Sequence, residues 1–174
     1  MSPAELESLT IPALLAATVA RQGDQPALGI IAQGTLVWRS WNDLGALVAQ
    51  AAEALAARGV NVGDRVAQLS PNCEGWIIAD LAIQQIGAVH VPLHAALAPS
   101  QAAEQVRHAG ARLLLVDSAE TAARVRTAVG EQAEIVTHAE LLVASSPRSP
   151  GVAASSVFKN STPDSLATIL YTSG

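Results

Sequence analysis

Three observations predict an α/β fold with a mostly parallel sheet flanked by helices. Between residues 59 and 144, short apolar runs alternate with stretches of helical period, joined by connections of a few residues. The run Leu113-Leu114-Leu115 shows no polar alternation, which suits a strand covered on both faces. Gly59 and Gly87 stand where helical patterns stop. Strand-helix-strand units of this kind pack as parallel strands with right-handed crossovers.

The elements follow in order. Thr10 is placed to cap a first helix with Pro12 in its first turn and an end near residues 21–23. Residues 29–31 and 36–38 flank Gln33-Gly34 and predict a short hairpin. Ser40, with Asp43 three residues on, starts a helix whose buried face carries Leu44, Leu47, Val48, Ala51 and Leu55. A strand at 65–69 leads through Ser70-Pro71-Asn72 into a helix at 74–86, and a strand at 88–93 follows. A helix from Pro99 ends with Arg107 and His108 in its last turn, where a helix terminus favours cations. Then come a strand at 112–116, a helix at 119–129, a strand at 134–136 and a short helix at 139–143. Residues 145–164, with Pro147, Pro150, Gly151 and Pro163 among many serines, read as a loop. Residues 166–171 read as one more apolar strand. The organisation is therefore 1–58 (helix, hairpin, amphipathic helix), 59–144 (parallel-sheet unit), 145–164 (loop) and 165–174 (strand and the start of a functional loop).

Composition excludes several classes. Ten Lys+Arg against fifteen Asp+Glu give a net charge of −5, with no basic run to neutralise phosphates, so nucleic-acid binding is set aside. Hydrophobic residues make up 50%, but 35 of the 174 residues are Ala, which leaves a lean core. Cys73 is the sole cysteine, so an internal disulfide and a cysteine-rich metal site are excluded. The start of the chain carries Glu5 and Glu7 where a secretory signal needs base. The longest apolar stretches, 11–20 and 76–98, are too short to span a bilayer or are broken by Asp80, Gln84, Gln85, His90 and Pro92. A soluble cytoplasmic chain is expected, with peripheral membrane contact left open.

Chemistry concentrates at the tetrapeptide Tyr171-Thr172-Ser173-Gly174. Ligands of open α/β sheets bind beyond the carboxyl ends of strands. A loop of hydroxyls, backbone N–H groups and glycine at such an end wraps phosphate oxygens, because glycine lets the backbone approach and hydroxyls donate to anionic oxygen. On spacing alone, a plain turn after a strand explains the four residues as well.

Residues 166–174, Leu-Ala-Thr-Ile-Leu-Tyr-Thr-Ser-Gly, resemble the first part of the phosphate-loop signature of the acyl-adenylate-forming (AMP-binding) enzymes, where Y-T-S-G continues into [ST]-[ST]-G-x-P-K-G. Collinear segments agree: Trp41-Asn42-Asp43-Leu44, residues 59–66 (GVNVGDRV), Asn72 to Trp76 followed by Asp80-Leu81-Ala82-Ile83, residues 87–93 (GAVHVPL) and the strand at 112–117. His90 stands where the family commonly has Tyr, and Asp43 where it commonly has Glu. The wording of residues 79–83 and 166–171 is most similar to bacterial long-chain fatty-acid CoA ligases.

The resemblance implies the N-terminal part of an adenylate-forming enzyme fold. It also implies a two-step reaction in which a carboxylate and ATP yield acyl-adenylate and pyrophosphate, and the CoA thiol then displaces AMP. ATP, Mg²⁺ and CoA are the implied cofactors and a fatty acid the implied substrate. Thr172, Ser173 and Gly174 are the implied phosphate-contacting residues. No catalytic residue and no metal ligand is expected within the 174 residues. The family's catalytic lysine lies in a C-terminal domain, whereas the single lysine here, Lys159, precedes the signature. The chain thus reads as the leading part of a longer enzyme, inactive and ligand-free by itself and prone to self-association through its last strand. Alternatives are an amino-acid or aryl-acid adenylating domain and a non-catalytic α/β scaffold of the same ancestry.

Other residue types point to little chemistry. His90 and His94 are four apart, but the intervening Pro92 denies them one helical face, so they are expected to be strand-end or loop histidines. Cys73 has no sequence-neighbouring His and is expected to be packed or idle. Glu74, Asp80, Glu104, Asp117 and Glu120 are expected on solvated faces and caps, and Trp76 in the packing of its helix on the sheet.

Overall fold

A computed structural model describes residues 9–143 and 162–172. The chain opens with helix α1 (Ile11–Gln22), an antiparallel hairpin of β1 (Pro26–Ala32) and β2 (Thr35–Ser40), and helix α2 (Trp41–Ala57). A parallel unit follows: β3 (Arg65–Leu69), α3 (Glu74–Gln85), β4 (Val89–Leu93), α4 (Pro99–Ala109), β5 (Leu113–Val116), α5 (Ala119–Val129), β6 (Glu134–Thr137) and α6 (His138–Val143).

Local chemistry accounts for the boundaries. The Thr10 hydroxyl accepts from the Ala13 amide at 3.3 Å and caps α1. Gln33 and Gly34 both adopt positive φ, 51° and 77°, the backbone of the tight turn that matches the twist of a two-residue hairpin. At α2 the Ser40 hydroxyl accepts from the Asp43 amide at 3.0 Å, and the Asp43 carboxylate accepts from the Ser40 amide at 3.0 Å. Asp43 therefore closes a reciprocal capping box, the role usually taken by Glu or Gln.

Strand order in the sheet is β4-β3-β5-β6, all parallel. The side chains of Leu113, Leu115 and Val136 face a core built with α1, α2, α3 and α6. Those of Ala67, Leu69, Val91, Leu93, Leu114 and Val116 face a second core built with α4 and α5. Both faces are covered, so Leu113, Leu114 and Leu115 are all buried, as the unbroken leucine run predicts. The chain leaves β3 toward one face and β5 toward the other, which places a switch in winding direction between these two neighbouring strands.

One expected strand is corrected. Residues 166–171 do not form a full strand but one parallel bridge, Thr168 beside His90. The His90 amide donates to the Ala167 carbonyl at 2.9 Å, and the Ile169 amide donates to the His90 carbonyl at 2.9 Å. The next donor in a parallel ladder would be the amide of residue 92, and Pro92 has none, so the pairing ends there. Ile169 and Tyr171 still pack against the α4–α5 core, while Leu166 and Leu170 are exposed.

Candidate functional site

Most of the loop expected at 145–164 lies outside the described residues, and residues 162–172 carry the part of the predicted site that is described. Thr162 and Ser165 form a turn in which the Thr162 amide donates to the Ser165 hydroxyl at 2.9 Å, and the chain then runs along β4 in the parallel sense. Tyr171 is the anchor at the far end. Its hydroxyl donates to the Gln105 carbonyl at 3.2 Å and lies 2.8 Å from His108 Nδ1, with the two rings edge to face. Burial raises the Tyr171 phenol above its ordinary pKa. Thr172 follows, exposed, at the carboxyl end of the segment, where a hydroxyl is free to meet a ligand. Ser173 and Gly174 lie outside the described residues, as does Lys159.

A second group of polar side chains gathers near the carboxyl ends of β3, β5 and β6. Cys73, the residue before α3, is exposed, and its Sγ lies 3.7 Å from His138 Nδ1 and 3.6 Å from Ser70 Oγ. Gln68, fully buried on β3, directs Nε2 to His138 Nε2 at 2.9 Å and to the Trp76 carbonyl at 3.4 Å. A donating amide makes His138 Nε2 an acceptor, so the ring proton falls on Nδ1, facing the cysteine sulfur. Burial pushes the His138 pKa down, with Asp117 opposing, so the ring is held neutral. Gly75 makes this approach possible, because a Cβ there would stand 2.6 Å from His138 Nδ1. Cys73 has no histidine near it in sequence, but the fold brings one from another element, and the cysteine is exposed, not packed.

A third pair lies under α3. His90 is 2% exposed, and its Nδ1 lies 2.8 Å from Asp80 Oδ1. Asp80 also accepts from Gln84 Nε2 at 2.8 Å. Desolvation raises the Asp80 pKa, but the His90 hydrogen bond and charge, together with Gln84, outweigh it and hold the carboxyl below its ordinary value. Trp76 meets the His90 ring edge to face at 5.3 Å, so it packs α3 on the sheet as expected. His90 Nε2 is buried with no hydrogen-bond partner among the described residues. His90 is thus a buried mid-strand residue and not the strand-end or loop histidine expected. Asp80 is therefore largely withdrawn from solvent, whereas Glu74, in the first turn of α3 and partly exposed, pairs with Arg39 at 2.6 Å. Among the described residues no three His, Cys, Asp or Glu side chains converge to hold a metal ion, and no helix is long and apolar enough to cross a membrane.

Comparison with known proteins adds the family. The chain is 32% identical to a 3-hydroxybenzoate–CoA ligase of an Aromatoleum species over 144 residues, covering 83% of this chain and 26% of that protein. It is 39% identical over 105 residues to a substituted indenylpropanoyl:CoA ligase of Mycobacterium tuberculosis, covering 60% of this chain and 20% of that protein. The chain spans less than a third of the length of these relatives. Among solved structures it superposes on the N-terminal subdomain of Klebsiella oxytoca NpsA, in complex with 3-hydroxybenzoyl-AMSN. That match has a TM-score of 0.81 and 23% identity, and covers all of this chain and 40% of that one. A Mycobacterium tuberculosis fatty acyl CoA synthetase matches with a TM-score of 0.77 and 22% identity, covering 97% of this chain and 33% of that one. Likeness at such identity establishes the fold alone: an α/β unit with a parallel sheet, as in the N-terminal subdomains of adenylate-forming enzymes. The family description "AMP-binding enzyme" matches residues 15–174, nearly the whole sequence, and the chain therefore belongs to the AMP-binding enzyme family.

Proposed function

We propose that this chain is the N-terminal part of a cytoplasmic ATP-dependent acid–thiol ligase that joins a long-chain fatty acid to CoA through an acyl-adenylate. The observation that carries the reading is the placement of Thr172. It is exposed at the carboxyl end of a segment paired in parallel with β4, inside a family match that runs to residue 174. Thr172, with Ser173 and Gly174, forms the first half of the loop around the ATP phosphates. The hydroxyls donate to phosphoryl oxygens, and glycine lets backbone N–H groups come close. In the first step a carboxylate oxygen attacks the α-phosphorus and pyrophosphate leaves; in the second the CoA thiol attacks the acyl carbon and AMP leaves. Mg²⁺ supplies charge neutralisation at the phosphates when bound, and none of the described residues is assigned as its ligand.

The test is pyrophosphate release by the enzyme whose reading frame continues past Gly174, assayed with a panel of fatty, aryl and amino acids. Turnover with long-chain fatty acids and CoA is expected. The 174 residues alone are expected to give no saturable heat on titration with MgATP, because half of the phosphate loop and the family's catalytic lysine are not among them. Saturation at micromolar MgATP would overturn that expectation. A second reading, activation of an aryl acid, draws on the similarity to a 3-hydroxybenzoate–CoA ligase across 83% of the chain. Turnover with benzoates and not with fatty acids would select it. Self-association of the 174-residue chain belongs to the same proposal, since Leu166 and Leu170 are 61% and 70% exposed beside a singly paired segment. Sedimentation is expected to show dimers, and a monomer at high concentration would count against it.

A further inference from the structure

Tyr171 ends the segment that leads into Thr172, and the contacts that hold it come from a single helix face. The phenol has one proton and two lone pairs. Its proton goes to the Gln105 carbonyl at 3.2 Å, so at 2.8 Å from His108 Nδ1 it accepts, and the imidazole donates. This arrangement satisfies all three groups. The reverse one, with the phenol donating to the imidazole, would withdraw that proton from the carbonyl. The ring itself packs against the α4–α5 core, so only its hydroxyl end is polar and held. Gln105 and His108 are three apart on α4 and therefore share a face, which turns the last two turns of that helix into a two-point clamp.

The clamp matters because little else holds the segment. Its pairing with β4 is one bridge that Pro92 prevents from extending, Ile169 is the one other side chain packed on the core, and Leu166 and Leu170 are largely exposed. We propose that His108 is a positioning residue for the phosphate loop: with the Gln105 carbonyl it holds the Tyr171 phenol and so sets where Thr172 leaves the sheet. The proposal rests on reading residues 171–174 as the start of that loop. It explains why His108, an exposed residue at the end of a helix, has a ring committed to a residue 63 positions away.

Tyr171 is the only tyrosine of the chain, so its ionisation can be followed spectroscopically without interference. The Ile169 amide, bonded to the His90 carbonyl, reports detachment of the segment through hydrogen exchange. In the 174-residue chain, His108→Leu is expected to speed Ile169 exchange roughly two- to tenfold, the loss of one net hydrogen bond, and to move the tyrosine ionisation upward, because the phenolate loses its donor. His108→Gln keeps a donor and is expected to restore most of both. Tyr171→Phe removes both contacts of the hydroxyl and is expected to speed Ile169 exchange at least as much as His108→Leu, with the double variant adding nothing beyond Tyr171→Phe. Amides of β3 serve as the internal reference and are expected to stay unchanged. Unchanged Ile169 exchange in His108→Leu, equal acceleration in β3, or additive effects in the double variant would overturn the clamp. These measurements need no nucleotide, so they fail independently of the phosphate-loop reading. That reading fails if Thr172→Ala leaves nucleotide affinity unaltered in the enzyme continuing past Gly174.

Discussion

Replacing Gly75 by Ala tests the packing of α3 against α6. A Cβ at residue 75 would stand 2.6 Å from His138 Nδ1 and 2.7 Å from both Cβ and Cγ of the same side chain. Carbon atoms in good contact sit about 3.5–4.0 Å apart, so the two helices must separate by roughly 1 Å at this point. The ring cannot swing away cheaply, because two of the three contacts lie at the base of the side chain and the far ring nitrogen is held by Gln68. Overpacking of this kind costs about 1–3 kcal/mol. The gain in helix propensity from Gly to Ala, at most about 1 kcal/mol in a helix interior, offsets part of it. A net loss of about 1–2 kcal/mol is expected. With a urea m-value of about 2 kcal/mol/M, the unfolding midpoint should fall by roughly 0.5–1 M with m unchanged. Adding His138→Ala removes Nδ1 and Cγ but keeps Cβ at 2.7 Å, so it should relieve only part of the clash, whereas His138→Gly removes all three contacts and should show the stronger non-additivity. A midpoint equal to or above that of the parent chain would refute the reasoning.

Ser40→Ala removes one half of the reciprocal cap on α2 and should lower stability by about 1 kcal/mol, read from the urea midpoint, while Ser40→Asp should retain most of it. Asp80 has a folded-state pKa below its ordinary value of 3.8, so its contribution is fully present above that value and is lost as pH falls through the folded pKa. Asp80→Asn should therefore cost about 1–2 kcal/mol near neutrality and flatten the acid limb of stability below about pH 4, measured as the urea midpoint against pH. An unchanged acid limb would show that the buried pair with His90 does not set it.

Periodicity carried the parallel unit into view because each of its elements is specified locally. The helix at Ala119–Val129 and the strand at Arg65–Leu69 fall where apolar spacing places them, and the caps at Thr10 and Ser40 are formed by the residues named from their type and position in the sequence. The site was less legible for a physical reason: its decisive pairs join elements far apart in sequence. Nothing local marks Cys73 and His138 as neighbours, nor Arg39 and Glu74, nor His108 and Tyr171. Two signals were available. Pro92 in an apolar run limits pairing on the side where its amide would have pointed, and Gly75 in the first turn of a helix marks a close approach. His90 gave a third, misleading signal, because a histidine two residues before a proline reads as a strand end until its carboxylate partner on α3 is seen.

The contact between His108 and Tyr171 also sets an order of events in time. Bringing together two residues 63 positions apart costs about 4 kcal/mol in loop-closure entropy, whereas β3, α3 and β4 meet through short connections. The parallel unit can thus assemble before the terminal segment arrives, and the segment's few bonds are gained only after that cost has been met. Docking of residues 166–172 is therefore expected late in folding, and their release early among the openings of the native chain, which hydrogen exchange at the Ile169 amide would report. The segment that leads into Thr172 is thus joined to the sheet by few bonds, each of them readily reversible.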